Sequence, residues 1–142
     1  EICACLVGSE MCIRDREKML FHILECLKEF KNTEEIPDTI SLLQNYLEHH
    51  FAQDITLEAM AEFTGISKYH LCRQFKKYTG FSPREYLIHL RLLQAQMLLQ
   101  STEFPCYKIG IMVGFANEAN FIQHFKKAFD MTPGEYRNTK KN

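Results

Sequence analysis

Three side chains in this sequence have the shape to grip the edges of nucleic-acid bases. The Arg73 guanidinium matches the O6 and N7 of guanine bidentately, and the amides of Asn120 and Gln123 match the N6 and N7 of adenine. Ile122 offers methyl groups that pack on a thymine methyl, and Tyr69 and Cys72 lie on the same outward side as Arg73 if Leu71 and Phe75 point inward. A lysine pair follows each group, Lys76-Lys77 after Phe75 and Lys126-Lys127 after Phe125. Such ammoniums suit backbone phosphates, which position a protein without reading sequence. Ser67, Lys68 and Asn117, at the starts of the two stretches, complete the phosphate set.

Each residue also has a plainer reading. The lysines suit a solvated helix face, Arg73 can pair with Glu85 for little gain, and Tyr69 can be half-buried core. His70 and His124 read as packing or surface residues. Cys72 reads as filler, because no resolving partner marks it as a redox switch. What favours contact is repetition. Phe75-Lys76-Lys77, four residues, then Ser82-Pro83-Arg84-Glu85-Tyr86 recurs fifty positions later as Phe125-Lys126-Lys127, four residues, then Thr132-Pro133-Gly134-Glu135-Tyr136. The preceding turns, Thr64-Gly65-Ile66 and Val113-Gly114-Phe115, are offset by forty-nine, so one residue is inserted in the turn. Self-similarity on this scale marks a repeated supersecondary unit.

Positioning those residues requires helices. Asp38 can cap a helix to about Phe51, with Ile40, Leu43, Leu47 or Tyr46 and His50 inward. Thr56 caps Leu57–Thr64, Gly65 supplies the positive φ that ends it, and Ser67 caps Lys68–Thr79. Two helices joined by such a turn make a helix-turn-helix. Ser82-Pro83 restarts a helix in the cap and first-turn positions. It runs to about Gln100 and is apolar along two lines, Leu87, Leu90, Leu93, Met97 and Ile88, Leu92, Ala95, Leu99. That pattern reads as a strut buried between two bodies, with Leu90 and Leu93 expected in its core. The second unit follows: Cys106–Val113 with Ile109, Met112 and Val113 inward, a turn at Gly114, Glu118–Phe129 capped by Asn117, and a short last helix to Arg137. The expectation is an all-α fold of about seven helices, two helix-turn-helix units on a linking helix, preceded by one extra N-terminal helix.

Around this 38–137 domain, residues 1–16 read as a non-native or disordered leader and 17–31 as an amphipathic helix ending a truncated upstream domain. Residues 32–37 read as a linker and 138–142 as a disordered tail. Over the 142 residues the net charge is −1, but the sign is unevenly placed. Residues 1–38 carry 5 Lys/Arg against 9 Asp/Glu, and 39–142 carry 12 against 9, so the positive charge accompanies the repeats. No apolar run approaches a membrane span, and no signal-peptide order opens the chain. The six cysteines form no disulfide framework, which suits a reducing cytoplasm. No metal site or cofactor is expected.

The string Ile55-Thr56-Leu57-Glu58-Ala59-Met60-Ala61, Gly65-Ile66-Ser67, Tyr69-His70-Leu71-Cys72-Arg73-Gln74-Phe75-Lys76, Thr79-Gly80, Tyr86-Leu87, Arg91-Leu92 and Ala95 resembles the DNA-binding domain of AraC-type transcription regulators. Val113-Gly114-Phe115, Phe121, Phe125-Lys126-Lys127 and Thr132-Pro133-Gly134-Glu135-Tyr136-Arg137 extend the resemblance over about a hundred residues. It implies a seven-helix domain with two helix-turn-helix units, double-stranded DNA as partner, and activation through RNA polymerase. It also implies a homodimer through a sensor domain upstream. Departures are Gly110 where Ala is usual, expected to loosen its helix, Asp130 where Gly is frequent, and Ala119-Asn120 in the second reading helix.

A transcription activator inserting 68–79 and 118–129 into successive major-groove segments is therefore the expected function. The rivals are a helical protein-interaction module that has lost DNA binding, and an enzyme such as a DNA-repair alkyltransferase. The enzyme reading lacks a nucleophilic cysteine with a positioned histidine and acid, so no enzyme is expected.

Overall fold

The computed structural model describes residues 36–141. The readings of residues 1–16 and 17–31, most of the 32–37 linker and Asn142 lie outside the described residues. Within them are seven helices and no strand: α1 Asp38–His50, α2 Leu57–Thr64, α3 Lys68–Thr79, α4 Pro83–Ser101, α5 Cys106–Met112, α6 Glu118–Phe129 and α7 Pro133–Lys141. None is long and apolar enough to cross a membrane.

The two copies share their local chemistry. Ser67 Oγ accepts from the His70 N–H, and Asn117 Oδ1 accepts from the Asn120 N–H, each satisfying a donor that a helix start leaves unpaired. At the other end Gly80 (φ 81°) and Asp130 (φ 57°) both turn left-handed. Aspartate tolerates that conformation better than most side chains. The restarts match too. The Ser82 N–H donates to Glu85 Oε2 at 2.9 Å while the Glu85 N–H donates to Ser82 Oγ at 3.3 Å. Thr132 and Glu135 repeat this at 2.7 and 3.3 Å, two reciprocal capping boxes. In both, the cap backbone N–H, followed by the hydroxyl, holds the glutamate carboxyl below its usual range.

Helix α4 packs against α1 and α3 of the first unit and α5, α6 and α7 of the second. Burial on α4 falls on Leu87, Leu92, Ala95 and Leu99. Leu90 and Leu93, expected in the core, are only half-buried, and Met97 is exposed. The buried set takes Leu87 from the first line and Leu92, Ala95 and Leu99 from the second, while Ile88 is half-buried, so neither line is buried along its whole length. Leu92→Ala is therefore expected to cost about 2–3 kcal/mol and Leu93→Ala under about half of that, read from urea denaturation. Equal losses would mean that both lines bury alike.

Other local readings change as well. Pro37, not Asp38, occupies the cap of α1 and makes no side-chain cap bond; Asp38 is the first helical residue, where its charge still favours the helix dipole. Met112 is exposed while Ile109 and Val113 are buried. Gly110 does not loosen α5: a Cβ there would lie 2.9–3.0 Å from Phe121 atoms, so glycine lets α5 approach α6. The last helix continues past Arg137 to Lys141 instead of giving way to a tail at Asn138. No glycine or proline lies in residues 138–141 to stop it, the Thr139 hydroxyl donates to the Tyr136 carbonyl at 2.7 Å, and Arg137 donates to the Phe104 carbonyl.

Buried tyrosines anchor the strut in both units. Tyr86 donates its hydroxyl to Glu48 at 3.0 Å, and burial followed by that carboxylate raises its pKa. The Tyr136 hydroxyl accepts from Gln96 at 2.7 Å and from Gln100 at 2.6 Å. Arg91 then ties the units together. Its guanidinium donates to the Phe51 and Gln53 carbonyls at 2.8 Å each and lies 5.8 Å from the Phe115 ring centroid.

Candidate nucleic-acid interface

A reading helix must bury one stripe and offer the opposite one. On α3, Leu71, Phe75 and Thr79 are buried; on α6, Phe121, Phe125 and Phe129 are. Residue by residue, the burial from Ser67 to Gly80 is the same as that from Asn117 to Asp130. The repeat in sequence is thus a repeat in surface: whatever one helix offers to solvent, the other offers at the position fifty residues on.

The outward stripe of α3 carries Lys68, Tyr69, His70, Arg73, Lys76 and Lys77. Tyr69 is 77% exposed, which rules out the half-buried core reading. Arg73 makes no ion pair with Glu85, whose carboxylate is taken up by Ser82. Cys72 is half-buried at the edge of the stripe. Lys68 is already engaged: its ammonium meets Glu58 of α2 at 2.8 Å and holds that carboxyl below its usual range. With both partners exposed the pair is weak, but it competes with any phosphate.

On α6 the outward stripe carries Glu118, Ala119, Asn120, Gln123, Lys126 and Lys127, with Ile122 half-buried beside Gln123. Ser67 and Asn117, exposed, point their side-chain oxygens at their own helix starts. The structure therefore places Tyr69, Arg73, Asn120 and Gln123 on open helix faces and puts Cys72 and Ile122 at the margins. Two residues passed over in sequence share this surface. His70 is exposed in the register of Asn120, a signal the fifty-residue offset already carried. Arg84, at the start of α4, is exposed and lines a cleft with Asn120 and His124 of α6, a placement its own position in the repeat did not indicate.

The residues that line a cleft of about 700 Å³ come from both units: Thr56, Leu57 and Glu58 of α2, Arg84 and Arg91 of α4, and Asn120 and His124 of α6 among them. Burial, then the charges of Lys127 and Arg84, keep the His124 imidazole below its ordinary pKa. The two outward stripes thus present Arg73, Lys76, Lys77, Lys126 and Lys127 with the amides of Asn120 and Gln123.

Residues 60–139 match the model of a family described as a helix-turn-helix domain. The HTH-type transcriptional activator RhaS of Salmonella arizonae is 31% identical over 128 residues, covering 88% of this chain and 46% of that protein. The chain thus spans about half the length of the curated relatives it matches. Among solved structures, the C-terminal domain of AraT, a response regulator from Geobacillus stearothermophilus, aligns with a TM-score of 0.71 at 36% identity, over 75% of this chain and 88% of that one. The DNA-binding domain of AdpA, a global transcriptional factor solved in complex with a target DNA, aligns at 0.68 and 25% identity, over 70% and 90%. A transcriptional regulator of the AraC-type DNA-binding class from Chromobacterium violaceum aligns at 0.66 and 29%, over 72% and 92%. With the two repeated helix-turn-helix units on one strut, these matches place the chain in the AraC-type family of helix-turn-helix, DNA-binding transcription regulators, which are not enzymes.

Proposed function

We propose that one copy of this chain inserts α3 and α6 into two successive major-groove segments on one side of a DNA duplex, and that the bound chain activates transcription. The observation that supports this reading is the matching burial pattern of the two helices, which leaves the same register of positions open on both, with one strut between them. Helix α4, at 19 residues, is about 28 Å long by helix rise. Successive major-groove segments lie about 34 Å apart, and the reading helices project beyond the strut. In this arrangement Arg73 meets a guanine, Asn120 and Gln123 meet adenines, and Ile122 a thymine methyl, with Tyr69 and Cys72 beside Arg73. Lys76, Lys77, Lys126 and Lys127 meet phosphates, joined by Ser67, Asn117 and, when it leaves Glu58, Lys68. RNA polymerase is the partner for activation, in the cytoplasm. Dimerisation belongs to a sensor domain upstream.

The two faces differ, Tyr69, Cys72 and Arg73 against Asn120, Ile122 and Gln123, so the site is asymmetric. Binding selection on random duplexes, repeated with Arg73→Ala and Gln123→Ala, tests this. Each substitution is expected to relax preference by about 1–3 kcal/mol in its own segment, one helical turn from the other. A palindromic motif, or both substitutions altering the same base pairs, would refute the two-reader arrangement. A chain that shifts no duplex at low salt would instead be an interaction module.

A further inference from the structure

The cleft shared by the two units is lined by two carboxylates, Asp54 and Glu58, and two guanidiniums, Arg84 and Arg91, and one of the guanidiniums makes no ion pair there. Arg91 spends its guanidinium on the Phe51 and Gln53 carbonyls, and Glu58 is held by Lys68. Asp54, also in the cleft, acts on Arg91. Arg84 differs: it is exposed, and among the described residues it makes no hydrogen bond or ion pair. It belongs to the first copy of the repeat, where the second has Gly134, so one guanidinium alone occupies this register. It lies near the second reading helix: Arg84 lines the cleft together with Asn120 and His124, and Lys127 follows His124 by one turn of α6. Cations from α4 and α6 thus gather at one place with no carboxylate committed to them, and such a gathering is stabilised by an oxyanion.

We propose that Arg84, with Lys127 and the N–H of His124, holds a phosphate oxyanion at the cleft, and that this is a DNA-backbone phosphate lying between the two major-groove segments. The proposal rests on the two-reader arrangement. Asn120, on the reading face of α6, lines the same cleft, so a duplex engaged by α6 passes Arg84. The stretch joining two successive major-groove segments must face the protein between the reading helices, where the cleft opens. A guanidinium is suited to bidentate phosphate contact, and such a contact adds affinity without sequence preference.

The test uses the full chain, its Arg84→Ala and Arg84→Lys variants, and fluorescence anisotropy on a selected site and on a random duplex of equal length. Arg84→Ala is expected to weaken both duplexes about tenfold and to make the log–log salt slope shallower by about 0.9, while Arg84→Lys retains the slope. Replacing phosphates one at a time by neutral methylphosphonates should find a central linkage whose loss weakens the wild type but hardly affects Arg84→Ala. Unchanged affinity and slope in Arg84→Ala would overturn the proposal. So would calorimetry in which inorganic phosphate binds the DNA-free wild type and not Arg84→Ala while their DNA affinities stay equal; the ligand would then be a free anion. A wild-type footprint confined to one major-groove segment counts against the two-reader arrangement itself. A two-segment footprint with an indifferent Arg84→Ala counts against this phosphate site alone.

Discussion

Gly114→Ala is expected to lower unfolding stability by roughly 3–5 kcal/mol. Two costs combine. Gly114 sits at φ +102°, a conformation that L side chains rarely adopt. Its Cβ would also lie 2.8 Å from the Ala52 carbonyl oxygen and 3.0 Å from the Ala52 carbonyl carbon and Cα. Those are backbone atoms, which cannot rotate aside as a flexible side chain would. Ala52 lies in the loop after α1 that Arg91 pins through its neighbours Phe51 and Gln53, so the loop has little room to yield. Gly65→Ala is the control: it sits at φ +72° with nothing within 4 Å of an added Cβ, and should lose only the backbone part, about 1–2 kcal/mol. Urea denaturation of the two variants measures the difference. If Gly114→Ala is no worse than Gly65→Ala, the turn of the second unit does not press on the first.

DNA affinity should fall by about two- to three-hundredfold between 50 and 200 mM salt. Lys76, Lys77, Lys126 and Lys127 flank the reading stripes on α3 and α6 and are exposed; Lys68 contributes less because Glu58 holds it at 2.8 Å. Neutralising about four to five phosphates gives a log–log slope of about −4. With a net charge of only −1 over the chain, such a slope can come only from where the cations are placed. Anisotropy titrations across the salt range measure it. A slope near zero would sink the phosphate role of the lysines, and Glu58→Ala, which frees Lys68, should steepen the slope slightly.

Much of the architecture was legible in the residues because its signals are local. Gly65, Gly80, Ser67, Asn117 and the two Ser/Thr-Pro-x-Glu restarts mark helix ends through bonds within four residues. The three-and-four spacing of Leu71, Phe75, Phe121, Phe125 and Phe129 fixes which side of each reading helix turns inward. That inward side sets the outward one, so the open positions of Arg73 and Gln123 followed from spacing. The fifty-residue offset carried the equivalence of the two helices. What the chain's own order left open depends on contacts between residues far apart. Whether Leu92 or Leu93 enters the core depends on how two bodies close on one strut, and no periodicity within α4 distinguishes them. Gly110 looks like a weak point in a helix until Phe121 is placed against it. Lys68 looks like an unpaired cation until Glu58, ten residues earlier, is found 2.8 Å from it. Arg84 carries no mark in its own helix; only the packing of α4 against α6 brings it to His124 and Lys127, because its setting is made by the other half of the repeat.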